Sequence, residues 1–333
     1  MTKAAELAKM GEVITNSQLG GRRNILINGD FKIWQRATSS TAANYSGPDR
    51  WYYGNAGTYS RSTDVPSGEG FQYSNNVKVT AATSYGVTAQ RIEAVNCKHL
   101  VGKTVTASFW LKTISGSTYM TCILYRANTE DGHNSGVTVI ESKTFTGVTG
   151  TWTYYTLTWS NLPSETTNGL QLYFFSADAG TDPEYRITGI QLEVGEQATP
   201  FEHRSFGEEF DLCLRYYEKS SAYGEAEDST AGPNIYGVVG MAGSASSVGN
   251  NDAAMIHWQK PKRATPTLVF YDAVGNSGKL SYAEAGVGRV DNIAIRSSNI
   301  GVNRSRIGTA GASSLDAGEA VEMLFQYTAD SEL

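Results

Sequence analysis

The sequence predicts an all-β protein: a short N-terminal helix, then an antiparallel jelly-roll β-sandwich, then a second, smaller β domain. Runs of Val, Ile, Thr, Tyr, Phe and Trp alternate with polar residues at period two, the pattern of a half-buried strand. Turn formers separate these runs, with 35 Gly and dense Asn, Ser and Asp. Helical patterns are missing between the runs, so the strands are expected to pair antiparallel rather than through the crossover helices that a parallel sheet needs. Charged residues make up 18% of the chain, against about 25% in an average soluble domain, while 19 Tyr, 11 Phe and 6 Trp supply core. That richness in aromatics, with a net charge of only −6, excludes a disordered chain.

Residues 1–22 read as a helical anchor. Ala4, Leu7, Met10 and Ile14 step at helical spacing between Lys and Glu residues, giving a narrow apolar seam. A lone helix of this length is marginal in water, so the seam needs its own copies or a docking surface. Gly20-Gly21 ends it. Residues 23–203 form the expected sandwich. Asn24–Asn28 begins the period-two pattern, and Thr104–Lys112, Tyr119–Arg126, Val137–Phe145, Thr151–Trp159, Leu170–Phe175 and Tyr185–Val194 continue it. At this spacing about ten strands fit, as in a jelly roll. Ser205, with Glu208 three residues later, reads as a capping box opening a short bridging helix over Ser205–Leu212. Residues 204–333 form the second domain, with strands expected at Tyr216–Glu218, Ile235–Ala242, Ala254–Gln259, Thr267–Tyr271, Lys279–Ala283, Asn292–Ser297 and Ala320–Tyr327.

Catalytic and cofactor signatures are missing. The charge balance, 27 basic against 33 acidic residues, lacks the basic footprint of a nucleic-acid partner. No apolar run reaches the roughly 18 residues of a membrane span, and charges at Lys3, Glu6, Lys9 and Glu12 interrupt any signal-peptide core. Cys97, Cys122 and Cys213 are odd in number and unclustered, which predicts buried thiols. Gly102-Lys103-Thr104 imitates the end of a phosphate loop, but Cys97 stands where that loop needs glycine. GxSxG and HExxH do not occur, the four histidines are far apart, and Asp131-Gly132-His133-Asn134 reads as a turn. The expectation is a protein that is not an enzyme and uses no metal or cofactor.

The aromatic residues carry the binding expectation. Neighbouring strand residues point to opposite faces, so Trp51 and Tyr53 share a face opposite Tyr52, and Tyr154 opposes Tyr155. Flat rings near Asn, Asp and Gln suit the apolar faces of sugars and their hydroxyls. The glycan-binding candidates are Trp51, Tyr53, Trp152 and Tyr154; the competing reading for each ring is core packing.

Several short segments in one order resemble a known group. Asn24–Phe31 followed by Ile33-Trp-Gln-Arg36, then Asp49-Arg-Trp51, Gly189–Gly195, Ala198–Glu202, Leu212–Tyr217, Lys262–Pro266 and Tyr327–Leu333, resemble phage tail-fibre and tail-associated receptor-binding proteins with a carbohydrate-binding-module-like jelly roll. The resemblance covers nearly the whole chain from residue 24. It implies a virion structural protein of the tail, synthesised in the host cytoplasm, trimeric, and anchored to tail or baseplate proteins through the N-terminal seam at Leu7, Met10 and Ile14. Its implied partner is host-surface polysaccharide, with no nucleic acid and no membrane insertion. A connector fibre that binds only other virion proteins is the alternative role, and a polysaccharide depolymerase a lesser one. Related jelly rolls often hold a structural calcium between an acid near the first-strand motif and an Asp in the last strand. This chain has Asp30, but Thr188-Gly189-Ile190 stands at the second place, so calcium is not expected.

Overall fold

Period-two alternation builds two separate β units in the computed structural model, which describes residues 22–54, 57–79, 85–176, 182–224, 242–244, 252–284, 288–309 and 320–333. The expected helix over residues 2–16, with Leu7, Met10 and Ile14, and most of the expected strand Ile235–Ala242 lie outside the described residues. One compact unit runs to Glu209 and takes in Leu333; the other spans Phe210–Glu332.

In the first unit the strands are β1 (Ser39–Ser40), β2 (Gly57–Ser62), β3 (Ser74–Val79), β4 (Val87–Ile92), β5 (Val105–Ser115), β6 (Tyr119–Ala127), β7 (Val137–Thr146), β8 (Thr153–Trp159), β9 (Leu170–Ser176) and β10 (Glu184–Val194). They form a six-stranded sheet in the order β1-β2-β3-β10-β5-β8 and a four-stranded sheet in the order β4-β9-β6-β7. Every ladder among them is antiparallel. From β3 to β10 the chain crosses to the other sheet at every step except the β6–β7 hairpin, which stays within the four-stranded sheet. Val105, Ala107, Phe109 and Leu111 of β5 point inward against Cys122 and Leu124 of β6 and Leu172 and Phe174 of β9. The Phe109 and Phe174 rings meet edge to face at 4.9 Å. Cys97 and Cys122 are buried free thiols, and burial pushes the Cys97 thiol up to about 12.

The segment Asn24–Asn28, expected as a strand, is not one. It runs beside β10, but its asparagine side chains replace most of the ladder. Asn24 Oδ1 accepts the N–H groups of Leu26 and Leu192, each at 3.0 Å, and Nδ2 donates to the Ile190 carbonyl at 3.1 Å. Asn28 Nδ2 donates to the carbonyls of Ile33 and Asp49, and Oδ1 accepts from the Ile33 N–H. Local side-chain bonds of this kind compete with strand pairing. Asn28 and Phe31 sit at φ +58° and +55°, and the buried Phe31 ring packs against Trp51 at 4.9 Å. The Arg50 guanidinium donates to the Arg91 carbonyl at 2.8 Å, and the Asp49 carboxylate accepts from the Gln35 N–H at 3.1 Å.

The linking helix α1 (Phe206–Leu214) carries the capping box read from sequence. Ser205 Oγ accepts the Glu208 N–H at 3.3 Å, and Glu208 Oε2 accepts the Ser205 N–H at 2.9 Å.

The second unit has β11 (Tyr217–Lys219), β12 (Ala242–Ser244), β13 (Asp252–His257), β14 (Thr267–Tyr271), β15 (Lys279–Glu284), β16 (Gly288–Ser298), β17 (Arg304–Thr309), β18 (Ala320–Leu324) and β19 (Gln326–Asp330). They form a three-stranded sheet, β11-β19-β14, and a six-stranded sheet, β12-β18-β15-β16-β17-β13. Ile256, Trp258, Phe270, Leu280, Tyr282 and Phe325 are at its core. Lys262 and Glu218 are fully buried as an ion pair at 2.8 Å. The ammonium also donates to the Leu214 carbonyl, and the Tyr327 hydroxyl donates to Glu218 Oε1 at 3.0 Å.

Gly29 is needed where the N-terminal segment meets β10. A Cβ there would lie 2.1 Å from the Ile190 carbonyl oxygen, a backbone atom that cannot move aside. Gly29→Ala is expected to cost about 3 kcal/mol in urea unfolding of the first unit. Gly207→Ala in α1, where a Cβ meets nothing within 4 Å, is expected to stabilise by no more than about 1 kcal/mol.

Candidate functional site

The outer face of the six-stranded sheet is set by the alternation of β5 and β8. With Val105, Ala107, Phe109 and Leu111 inward, Thr106, Ser108, Trp110 and Lys112 face out. On β8, Tyr155, Leu157 and Trp159 pack toward the core, which turns Tyr154, Thr156 and Thr158 outward. The register places Trp110 opposite Tyr154, and Lys112 next to Trp152. The Trp110 and Tyr154 rings meet at 5.3 Å with a 51° tilt. Tyr154 is 42% exposed and Trp110 and Trp152 are partly so, giving an aromatic ledge open to solvent.

A row of charges lies beside the ledge. Lys112 pairs across the ladder with Arg186 of β10, and Arg186 with Asn76 of β3. Asp64 reaches in from the loop after β2 and takes both cations on Oδ2. Its Oδ1 accepts the Trp152 indole N–H at 3.0 Å. Arg186 Nε donates to Asn76 Oδ1 at 3.0 Å, and the Lys112 ammonium stands 5.4 Å from the Trp152 ring centroid. Burial by itself would raise the Asp64 carboxyl. Hydrogen bonds from Lys112, Trp152 and Arg186, with the Lys112 charge, outweigh it and hold the group below its ordinary value.

The loop over 63–73 is tied to β3 and β10. Ser74 Oγ donates to the Asp64 carbonyl at 2.6 Å, and Thr188 Oγ1 to the Tyr73 carbonyl at 2.8 Å. Phe71 packs on Gly189, where φ is +63° and a Cβ would lie 2.5 Å from the ring. Gly189 falls within the register shift of β10 between Thr188 and Gln191, so the bulge makes the seat for Phe71.

Trp51 and Tyr53 do not join this site. Both are fully buried, which corrects the expectation that they face a glycan. The Trp51 indole donates to the Asn28 carbonyl at 2.8 Å, and the Tyr53 ring stacks on Tyr59 at 3.8 Å. They do share a face opposite Tyr52, but that face is the core; Tyr52 is the partly exposed ring, with the Arg91 guanidinium 4.4 Å above it. Trp152 and Tyr154 lie together on the outer face. Trp110, Lys112, Asp64 and Arg186 were not anticipated. A signal for Trp110 was present: it shares the parity of Thr104, Thr106, Ser108 and Lys112, the polar side of its strand.

The residues around Asp30 do not fit a divalent cation. Lys32 Nζ stands 2.7 Å from Asp30 Oδ2 and donates to the Arg204 carbonyl at 2.7 Å, so an ammonium already holds the carboxylate and a backbone oxygen. Thr188 Oγ1 and the Ile190 carbonyl are engaged by Tyr73 and Asn24. Calcium wants six to eight oxygens. Among the described residues no three His, Cys, Asp or Glu side chains gather to hold a metal.

No protein-family model matches the chain, and no curated protein matches it. Among solved structures, it is similar to the enzymatically active domain of tailspike protein 4 from bacteriophage CBA120, at 16% identity over 52% of this chain and 21% of that one, with a TM-score of 0.37. It is also similar to the CBM22-2 xylan-binding domain of Paenibacillus barcinonensis Xyn10C (16%, 46% and 98%, TM-score 0.35) and to an arabinose-bound GH51 α-L-arabinofuranosidase (16%, 60% and 30%, TM-score 0.37). These scores are too low to carry family or function.

Asp64→Asn removes the carboxylate that joins Lys112, Arg186 and Trp152. A red shift of tryptophan emission is expected, and it should vanish in a Trp152→Phe background. A carboxyl held below its ordinary value stays ionised in the folded protein as pH falls through the usual aspartate range, so its bonds to Trp152, Lys112 and Arg186 persist there. The wild-type emission should therefore stay constant from neutral pH to about pH 4.

Proposed function

We propose that this chain is a phage tail-fibre protein that holds host-surface glycan on the outer face of its first unit, without catalysis. The observation that carries the reading is the Trp110–Tyr154 ledge, two rings on the polar side of adjacent strands, flanked by Lys112, Arg186 and Trp152. A sugar ring laid on the ledge buries its C–H face on the aromatic planes while its hydroxyls reach the amino, guanidinium and amide groups alongside. Rings held on paired strands give up little conformational freedom on binding, which favours a preformed site. The ionised Asp64 carboxylate, engaged by three donors, works as a positioning group rather than a proton donor. The order of the short motifs from Asn24 to Leu333 supports the fibre assignment.

Trimerisation and anchoring through Leu7, Met10 and Ile14 belong to the same proposal. A weak contact per site becomes firm attachment when three sites act together.

Binding of the full chain to host lipopolysaccharide and capsule on a glycan array tests the role. Trp110→Ala and Tyr154→Ala should each weaken binding by roughly tenfold, with an unchanged unfolding midpoint. Binding that survives both changes refutes the ledge. Complete absence of glycan binding turns the reading to a connector, and release of reducing sugar to a depolymerase.

Leu7→Asp combined with Ile14→Asp is expected to reduce a trimer to monomers in analytical ultracentrifugation and to prevent incorporation into particles. A persisting trimer that still assembles overturns the anchor.

A further inference from the structure

We infer that the glycan taken by the outer face is acidic, with sugar carboxylates bound between Lys112 and Arg186. This rests on the glycan-binding reading and names its substrate class. Lys112 and Arg186 are opposed directly across the β5–β10 ladder, a position where like charges repel. Asp64 is the carboxylate that joins them, so one positive charge remains in the trio. Two residues along β3 and β10, Lys78 and Glu184 pair with each other at 3.8 Å. The ledge is therefore flanked by local positive charge on a chain whose formal net charge is −6.

The donors also have room for a second anion. Arg186 spends Nε on Asn76 and Nη1 on Asp64, leaving Nη2 without a hydrogen bond to the described residues. Lys112 spends one of its three N–H groups on Asp64. The two side chains keep 24% and 12% of their surface in solvent. A planar carboxylate bridging Nη2 and Nζ would lie beside the Trp152 ring, whose centroid is 5.4 Å from the Lys112 ammonium. A neutral glycan would need only hydroxyl donors and acceptors, and would leave the repulsion between the cations as it stands. The carboxylate supplies the missing counter-charge, and the overall negative chain discourages polyanions that lack the matching sugar face.

The test uses the full chain and matched polymers: polygalacturonate, alginate and hyaluronan, each also with its carboxylates methyl-esterified, plus neutral dextran and dextran sulfate. Binding is read by calorimetry or surface plasmon resonance. Tightest binding to at least one free uronate polymer is expected, with a loss of roughly tenfold or more on esterification and a similar loss in Lys112→Gln and Arg186→Gln. Lys112→Arg keeps the charge and should retain binding, which separates charge from folding. Raising the salt should weaken the uronate complex. Equal binding of the free and esterified polymers, or of dextran, overturns the acidic class while leaving glycan recognition in place. Dextran sulfate binding as tightly as uronate overturns it too, as unspecific polyanion attraction. Failure of every polymer here, together with failure on the host-glycan array, overturns both readings.

Discussion

A buried backbone group must find a hydrogen-bond partner, and in this chain two asparagine side chains provide one where strand pairing stops. Asn24 bridges Leu26, Ile190 and Leu192; Asn28 bridges Ile33 and Asp49. Between them Gly29 lets the N-terminal segment touch β10, its carbonyl accepting the Ile190 N–H at 2.9 Å. That contact falls on the register shift of β10, which puts Gly189 at positive φ and opens the seat for Phe71. Phe71 fixes the loop that carries Asp64, and Asp64 gathers Lys112, Arg186 and Trp152. The short motif at the start of the described chain thus acts at a distance. Its residues meet β10 at the bulge on which Phe71 is seated.

This dependence explains what could be read from the residues and what could not. The inward and outward sides of β5 and β8 follow from alternation, which needs only that one face be buried. The capping box at Ser205 and Glu208 is likewise local and appears as read. The fate of Trp51 and Tyr53 is not local. They lie on a segment tied by isolated bridges, Tyr53 to Asn44 and Tyr52 to Ala89, rather than on a ladder strand. Which parity is buried there depends on the sheets that the segment crosses. Asn24–Asn28 differs for a related reason: its Ile-Leu-Ile run is that of a strand, yet its amides compete for the hydrogen bonds a strand would use. Asp64 carried no signal at all, because a loop carboxylate becomes meaningful only when the fold brings two cations to it.

The short motifs of the second unit fit the same pattern. Leu214, Lys262 and Tyr327 belong to three separate segments, yet the Lys262 ammonium joins the Leu214 carbonyl to Glu218, and Tyr327 closes the other Glu218 oxygen. Glu218 Oε2 also accepts the Gln259 N–H at 3.0 Å. These short motifs are packing knots of the unit's interior.

The two charge clusters show how structural and binding roles separate physically. The Lys262–Glu218 pair has no exposed side-chain surface, one cation meets one anion, and the carboxylate is engaged on both oxygens. Such a pair is closed: breaking it leaves a buried charge alone, and no further ion can enter. The Lys112–Asp64–Arg186 cluster has two cations for one anion, keeps surface in solvent, and leaves donors unspent. Charge that is uncompensated yet reachable gains free energy when a counter-ion arrives, whereas compensated charge does not. Of the two clusters, the one on the outer sheet face, beside the Trp110 and Tyr154 rings, is the unbalanced one.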